Sequence, residues 1–386
     1  MPPPFPPEAY DKPALSGLPL DELIELIKPL PAFRARQIFR WIAGGAFAFE
    51  QMTNLPRPLR EELEGRFRVY SSAVTARLED PDGTVKLQIR LWDGARIEAV
   101  LLSDGGDGPS RREDGARKTA CLSTQAGCPA GCVFCKTGTL GFLRNLDSAE
   151  ITEQFLFLRG LVPGISNIVI MGMGEPLLNL GELRRGLSVL TDSQGLGLSP
   201  RRVTLSSSGI TTGIRDLADR GPGIRLALSL TTADENLRQR LMPIGRANPL
   251  PELKEALRYY QRQGGGRITL EAVLLSGLNT RREDAAALIT FAEGLDAVVN
   301  LIPWNPVDGM EFEGKPLKEP TPKETGNFIR LLERGGLNVT RRFRRGRSIG
   351  GACGQLGVLL PEEPGKKGLE KADQEPQDSA EQIYPF

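Results

Sequence analysis

The sequence predicts an α/β fold in which a partial (β/α)6 barrel follows a small helical unit and a short antiparallel sheet. Three observations lead to this prediction. A helical apolar pattern runs from residue 21 to 67, apolar residues alternate singly over 69–103, and short apolar segments alternate with amphipathic ones from residue 120 onward. Strands and helices in alternation favour a parallel sheet, whose functional residues lie at the carboxyl ends of the strands.

The amino-terminal part reads as a disordered segment followed by helices. Residues 1–19 are rich in proline, and we expect them to be extended or disordered. A helical pattern begins at Asp21, breaks at Pro29 and Pro31, and resumes until a last short helix at about 58–67. Basic side chains lie on its polar side, where a solvated helix face is the ordinary explanation: Arg34, Arg36 and Arg40.

Residues 69–103 predict antiparallel strands, with turns at D-P-D-G (80–83) and W-D-G (92–94). In the last strand Glu98 shares a side with Val100 and Leu102, so we expect its carboxylate beside an apolar surface. Such a carboxylate tends to have a raised pKa and can accept a proton. An edge-strand glutamate that faces water is the alternative. Residues 104–118, rich in Gly, Asp and Arg, predict a linker.

The barrel is predicted from six apolar segments that read as strands. Amphipathic segments such as 148–158, with Asp147 and Glu150 as capping residues, and 252–260 lie between them. The six predicted strands are 120–124, 167–173, 202–207, 225–230, 268–275 and 298–303.

Composition restricts the chemistry. The 386 residues are 40% apolar, and 49 basic against 48 acidic residues leave no global field for nucleic acid, so any RNA contact must be local. Five cysteines, an odd number, indicate a reducing cytoplasm, and no long apolar run indicates a membrane or export. The sequence contains no histidine, which excludes His-based triads, His-ligated metals and His acid–base catalysis.

Three cysteines, Cys128, Cys132 and Cys135, are spaced C-x3-C-x2-C. Thiolates this close together indicate a soft metal centre. Three ligands would leave one iron of a [4Fe-4S] cluster open for a small molecule. The alternative is a structural zinc site that Cys121 completes as the fourth ligand.

The sequence around these cysteines resembles the RlmN/Cfr family of radical S-adenosylmethionine (SAM) RNA methyltransferases over nearly the full length, and most closely the RlmN type. The resemblance is carried by the cysteine spacing, G-F-L-R-N-L (141–146), M-G-M-G-E-P-L-L-N (171–179) and G-A-C-G-Q (351–355). It implies a radical SAM barrel with an RNA-docking helical domain, a [4Fe-4S] cluster on the three cysteines, and two SAM molecules per turnover. The domains expected are 1–19 disordered, 20–68 helical, 69–103 antiparallel extension, 107–345 radical SAM core, 346–360 cysteine loop and 361–386 disordered tail.

The SAM-binding residues follow from matching motifs. Glycine lets a backbone approach a ligand closely, and Glu175 suits a cationic amine such as that of SAM. The resemblance implies that Thr231 stands where the family usually has histidine, from which we expect altered contacts rather than lost binding. The full set that it implies is Gly174, Glu175, Ser206, Ser229, Leu230, Thr231 and Asn305.

The carboxyl-terminal motif combines a basic run with a cysteine. Arginines at 341, 342, 344, 345 and 347, with Phe343 as a stacking candidate, suit phosphate contact, although a solvated loop is the ordinary alternative. Cys353 lies between glycines in an electropositive stretch that favours the thiolate, whereas a buried structural cysteine is the alternative. The resemblance implies that Cys353 carries the methyl group, Glu98 accepts a proton and Cys121 resolves the protein–RNA crosslink as a transient disulfide.

The resemblance also implies partners. It predicts C2 methylation of an adenosine in 23S rRNA and of the adenosine next to the anticodon in tRNA, by a cytoplasmic monomer that takes electrons from a donor such as flavodoxin. Two alternatives remain: C8 methylation of the Cfr type, and a non-catalytic zinc protein that binds RNA.

Overall fold

The computed structural model describes residues 12–103, 117–341 and 345–357. Its helices are α1 Leu20–Leu26, α2 Ala32–Ala43, α3 Arg57–Arg66, α4 Lys136–Thr139, α5 Ser148–Leu161, α6 Leu180–Thr191, α7 Thr211–Arg220, α8 Glu235–Leu241, α9 Leu250–Arg262, α10 Arg282–Ala292 and α11 Pro322–Arg334. Its strands are β1 Ala73–Glu79, β2 Val85–Arg90, β3 Arg96–Ser103, β4 Lys118–Cys121, β5 Gln125–Gly127, β6 Phe142–Asn145, β7 Asn167–Ile170, β8 Val203–Ser207, β9 Arg225–Ser229, β10 Ile268–Leu274, β11 Ala297–Pro303, β12 Glu311–Phe312, β13 Lys315–Pro316 and β14 Val339–Arg341.

A ten-stranded sheet runs in the order β1-β2-β3-β4-β7-β8-β9-β10-β11-β14. Neighbours from β4 to β14 are parallel, and β1 to β3 add to β4 in antiparallel fashion. The predicted α/β class, with a parallel barrel sheet and an antiparallel extension, is confirmed. All six predicted barrel strands are present, although β4 and β7 each end three residues earlier than predicted.

Strand β14 was missed. It pairs with β11 through Val339, opposite Val299, and extends into the stretch that the sequence predicted only as a basic run. Three residues with exposed Thr340 and Arg341 carry no apolar alternation, so no sequence period marks the strand. Of the predicted basic run, residues 342–344, including Phe343, lie outside the described residues, as does the predicted tail from 361.

The predicted disordered segment 1–19 extends too far along the chain, because its last residues are ordered. Leu15 is buried, and the backbone N–H groups of Leu15 and Ser16 donate to the carbonyls of Arg68 and Val69 at 3.0 and 3.1 Å. Leu15 belongs to the apolar core around α1 to α3, and its burial stabilises the segment. The high proline content had suggested disorder instead. Residues 1–11 lie outside the described residues.

A buried carboxylate joins the helical unit to the barrel. Glu153 of α5 is fully buried and accepts hydrogen bonds from the hydroxyls of Ser16, Ser71 and Ser72 and from the backbone N–H groups of Ser71 and Ser72. Burial raises the pKa of Glu153 to about 7, although the Ser16 and Ser72 hydroxyls oppose the shift. A single side chain thus connects three segments that are distant in sequence.

The capping residues predicted for α5 are confirmed. Asp147 accepts a hydrogen bond from the Glu150 N–H at 2.8 Å, and Glu150 accepts one from the Asp147 N–H at 3.0 Å. In the parts of the chain that the structure describes, we find no helix with the length and apolar character needed to span a bilayer.

Candidate active site

The loop with the three closely spaced cysteines leaves β5 and leads into α4. The backbone N–H of Cys128 donates to the Gly141 carbonyl at 2.8 Å, and that of Val133 donates to the Leu241 carbonyl of α8 at 3.0 Å. Phe134 of the loop packs in an apolar cluster with Leu241 and Trp304. The loop is therefore anchored on two sides by backbone hydrogen bonds and also by packing.

The thiols of this loop influence one another. Burial raises the pKa of Cys128 to about 12 and the pKa of Cys132 well above its usual value, and the other two thiols raise that of Cys132 further. Three free thiols held together in a half-buried loop favour a cation that stabilises thiolates. This donor set fits a [4Fe-4S] cluster bound through Cys128, Cys132 and Cys135.

The structure does not form the alternative four-cysteine zinc site. Within the described ranges, no three His, Cys, Asp or Glu side chains come close enough together to hold a single metal ion. A structural zinc requires all of its ligands on one atom, whereas the cysteines of a cluster each bind a different iron. Cys121 lies in β4, outside the cysteine loop.

Gly174 and Glu175 follow β7, where strand meets loop. Gly174 has φ +103°, and a Cβ there would lie 2.6 Å from the Cβ of Gln125, so only glycine fits without displacement. The Glu175 carboxylate is buried and accepts hydrogen bonds from the hydroxyls of Ser207 and Ser208, each at 2.7 Å. Burial raises the pKa of Glu175, and the bonds from Ser208 oppose that shift.

Ser206 and Ser229 lie side by side at the ends of β8 and β9. Their hydroxyl oxygens are 2.9 Å apart, and the Ser206 hydroxyl donates to Glu271 of β10 at 2.8 Å. The Asn300 amide of β11 donates to the same carboxylate at 3.2 Å. Glu271 was not predicted as a site residue. Its neighbours Leu270 and Ala272 are buried apolar residues of the same strand, so the strand period places the Glu271 side chain on the opposite face of the sheet from theirs.

Leu230 is buried, and Thr231 adopts an unusual backbone conformation. Thr231 has φ +62°, which is rare for a β-branched residue, and its buried hydroxyl has no hydrogen-bond partner among the described residues. The carbonyl of Thr231 accepts a hydrogen bond from the Asn279 amide at 2.9 Å. A strained residue at a strand end is typical of a ligand-binding position.

The segment that carries Cys353 packs directly against the cysteine loop. We call residues 345–357 the carrier loop. The Lys136 N–H donates to the Gly354 carbonyl at 2.8 Å, and the Thr137 hydroxyl donates to the Leu356 carbonyl at 2.7 Å. The Cys353 thiol is close enough to influence the pKa of Cys135.

Asn305, predicted as a SAM contact, reaches the carrier loop. Its amide donates to the Cys353 carbonyl at 3.0 Å, while its buried Oδ1 has no partner among the described residues. Asn305, Cys121 and Cys353 all line one cavity of about 50 Å³. Arg345 also lines this cavity, so the basic run reaches the same space.

Glu98 does not face water, and a buried cation that was not predicted lies beside it. Glu98 is fully buried, but Lys86 forms an ion pair with it at 2.8 Å, and the Gly357 N–H of the carrier loop donates to it at 2.5 Å. The ammonium compensates the buried negative charge. Lys86 was not predicted as a partner of Glu98. The W-D-G turn sets the register of the hairpin, in which Gln88 is opposite Glu98 and Lys86 is the diagonal neighbour of Glu98.

Two family models match the chain. The Radical SAM superfamily model matches residues 122–289, and the model of the ribosomal RNA large subunit methyltransferase N-terminal domain matches residues 15–69. The chain is 49% identical over 346 residues to the probable dual-specificity RNA methyltransferase RlmN of Treponema denticola, covering 90% of this chain and 96% of that protein. The chain belongs to the RlmN family.

Other RlmN proteins and a solved structure agree. The chain is 42% identical to the probable dual-specificity RNA methyltransferase RlmN of Thermus thermophilus, over 89% of this chain and 94% of that protein. The crystal structure of a radical SAM methyltransferase from Sphaerobacter thermophilus matches with a TM-score of 0.81 and 36% identity, over 89% of this chain and 99% of that one.

RlmN-family membership confirms the predicted family and the prediction of an enzyme. The chain is a radical SAM RNA methyltransferase, so a [4Fe-4S] cluster and SAM are its cofactors and RNA is its substrate. The alternative of a non-catalytic zinc protein receives no support.

Proposed function

We propose that this enzyme methylates C2 of an adenosine in 23S rRNA and of the adenosine next to the anticodon in tRNA. The observation that carries the proposal is the cavity shared by Cys121 and Cys353 beside the cysteine loop. A methyltransferase that transferred its methyl group directly from SAM to RNA would need neither thiol there. Two cysteines on one cavity suit a carrier and a resolving thiol.

The cofactors would be held by residues of the strand ends. Cys128, Cys132 and Cys135 would bind the cluster, and the amino group of SAM would lie near Gly174 and Glu175. Ser206, Ser229, Leu230, Thr231 and Asn305 would contact the rest of SAM. When bound, the cluster and SAM supply the radical chemistry that an electron-poor adenine carbon requires.

The chain's own residues would then act in sequence. The Cys353 thiol loses its proton and accepts the methyl group of a first SAM, and two SAM molecules are consumed per turnover. Once the activated methyl carbon has joined adenine C2, Glu98 takes the C2 proton, and the unpaired electron left on the base would return to the redox partner, which restores the aromatic ring. The Cys121 thiolate attacks the sulfur of Cys353, which breaks the carbon–sulfur bond, forms a disulfide and leaves the electron pair on the methyl carbon, where a proton completes the group.

RNA binding would involve the basic surfaces at both ends of the described chain. Arg345 at the cavity suits a phosphate near the target base, and Arg34, Arg36 and Arg40 of α2 suit the RNA backbone farther away. An electron donor such as flavodoxin, a monomeric state and a cytoplasmic setting complete the proposal.

Nucleoside mass spectrometry tests the assignment. RNA from a host that lacks its own adenosine-C2 methylation, supplied with this gene, should contain 2-methyladenosine in both 23S rRNA and tRNA. 8-Methyladenosine would instead support the Cfr-type alternative. Absence of both modified nucleosides, with the protein present and its cluster intact, would contradict the proposal.

A further inference from the structure

Lys86 is a buried lysine that the reaction described above does not use. It lies in β2 with 3% of its surface exposed, beside fully buried Glu98 of β3. In the sheet register Lys86 is opposite Val100, and Val100 is opposite Cys121 on the other side. Since paired residues of antiparallel strands share a face, Lys86, Glu98 and Cys121 project from the same face of the sheet.

The carrier loop covers this face. Lys86 forms an ion pair with Glu98 at 2.8 Å and also donates to the Gly350 carbonyl at 3.3 Å. Gly350 has φ +62°, a backbone conformation that favours glycine. The second oxygen of Glu98 accepts the Gly357 N–H at 2.5 Å. Lys86 and Glu98 together therefore hold both ends of the segment 350–357, which contains Cys353.

The β1–β2 turn holds the loop independently. The Gly346 N–H donates to Asp82 at 2.9 Å, and the Ser348 hydroxyl donates to Asp80 at 2.5 Å. The loop thus keeps an anchor that involves neither Lys86 nor Glu98. A change at Lys86 removes one specific contact without freeing the whole loop.

We propose that Lys86 is a positioning residue that holds the Glu98 carboxylate in place while the carrier loop moves. Movement of the carrier loop removes the Gly357 N–H and frees that oxygen of Glu98 to receive a proton from the substrate. At that stage Lys86 remains as the partner of a buried carboxylate, which would otherwise carry an uncompensated charge. This inference rests on the proposed role of Glu98 as proton acceptor.

The test separates two steps of the reaction in the full, cluster-loaded protein. Methyl loading of Cys353 is measured by peptide mass spectrometry after incubation with SAM and reductant. Resolution is measured as loss of the covalent protein–RNA adduct after a radical turnover with 23S rRNA fragments. The series is Lys86→Met, Lys86→Arg and Glu98→Gln, with Arg77→Met as a control that removes an exposed cation from the same small sheet.

We expect Lys86→Met to load methyl as the unchanged protein does and to accumulate the adduct, with resolution slower by about 100-fold, within the range that a proton-transfer residue contributes. Lys86→Arg, which keeps the cation, should resolve faster than Lys86→Met, and Arg77→Met should behave as the unchanged protein. If Lys86→Met folds poorly, the rates of adduct resolution in Lys86→Arg and Glu98→Gln are compared with that of the unchanged protein instead.

Three outcomes would overturn the inference. Rapid resolution by Lys86→Met, with the adduct accumulating in Glu98→Gln, would contradict the positioning role of Lys86 and leave the role of Glu98 intact. Equal losses of cluster, loading and resolution in Lys86→Met and Lys86→Arg would show a purely structural role. Normal resolution by Glu98→Gln would contradict the proposed proton acceptor, and the role of Lys86 with it.

Discussion

Asn305 donates a hydrogen bond from its side-chain amide to the backbone carbonyl of Cys353 at 3.0 Å. Asn305 follows the last of the six predicted barrel strands, and Cys353 lies in the carrier loop. The contact joins a residue proposed to bind SAM to the residue proposed to carry the methyl group. If SAM takes over the Asn305 amide as proposed, the carrier loop loses this hydrogen bond.

Replacing Asn305 should loosen the carrier loop. Asn305→Ala removes the donor, and Asn305→Asp keeps the shape but replaces the donating amide with an acceptor. We expect faster hydrogen exchange of the backbone amides of residues 351–357 in both variants. Asn236→Ala, at an exposed position of α8, is the control. Unchanged exchange in both variants would contradict the link.

Gly174 should tolerate no side chain. Gly174→Ala places a Cβ 2.6 Å from Gln125 in a backbone conformation with φ +103°. We expect the free energy of unfolding to fall by at least about 2 kcal/mol, because strain and overpacking add. The measurement is denaturant unfolding under anaerobic conditions.

Gly160→Ala is the matched control for that change. Gly160 lies in α5, and a Cβ there would meet nothing within 4 Å. Its replacement should raise the free energy of unfolding by about 0.5–1 kcal/mol, as alanine does in a helix. Equal effects at the two glycines would refute the close-approach explanation.

Glu153 should make stability depend on pH. Its pKa of about 7 in the folded protein is above its usual value of 4.5, so the folded state binds more protons than the unfolded state between these values. Its contribution to stability is therefore full below about pH 4.5 and is lost as the pH rises to about 7. The advantage of the unchanged protein over Glu153→Gln should shrink across this window.

The comparison uses denaturant unfolding at about pH 4 and about pH 8, which lie on either side of the titration. Glu252→Gln, at an exposed position of α9, is the control for loss of a carboxylate. Parallel pH curves for the unchanged protein and Glu153→Gln would contradict a titration of Glu153 in this window.

Local sequence patterns predicted much of this molecule. The cysteine spacing singled out Cys128, Cys132 and Cys135 as candidate ligands because all three lie in one short loop. The apolar strands of the barrel were visible because each is buried. The strand ends of β4 and β7 were less accurate, since the apolar run continues into the loops that follow.

Contacts between distant segments were not predictable in the same way. Asp80 and Asp82 read as turn residues, and nothing local shows that their carboxylates hold Ser348 and Gly346. The same holds for Glu153, whose serine partners are up to 137 residues away. Such contacts depend on how the helical unit, the extension and the carrier loop dock on the barrel.

The covalent adduct tests the central claim most directly. Cys121→Ala, reconstituted anaerobically and supplied with SAM, reductant and RNA, should accumulate a protein–RNA adduct whose mass and peptide map place the link at Cys353. Cys353→Ala should keep its cluster but yield neither adduct nor methylated adenosine. Methylated adenosine from Cys353→Ala, or an adduct linked elsewhere in the chain, would contradict the account.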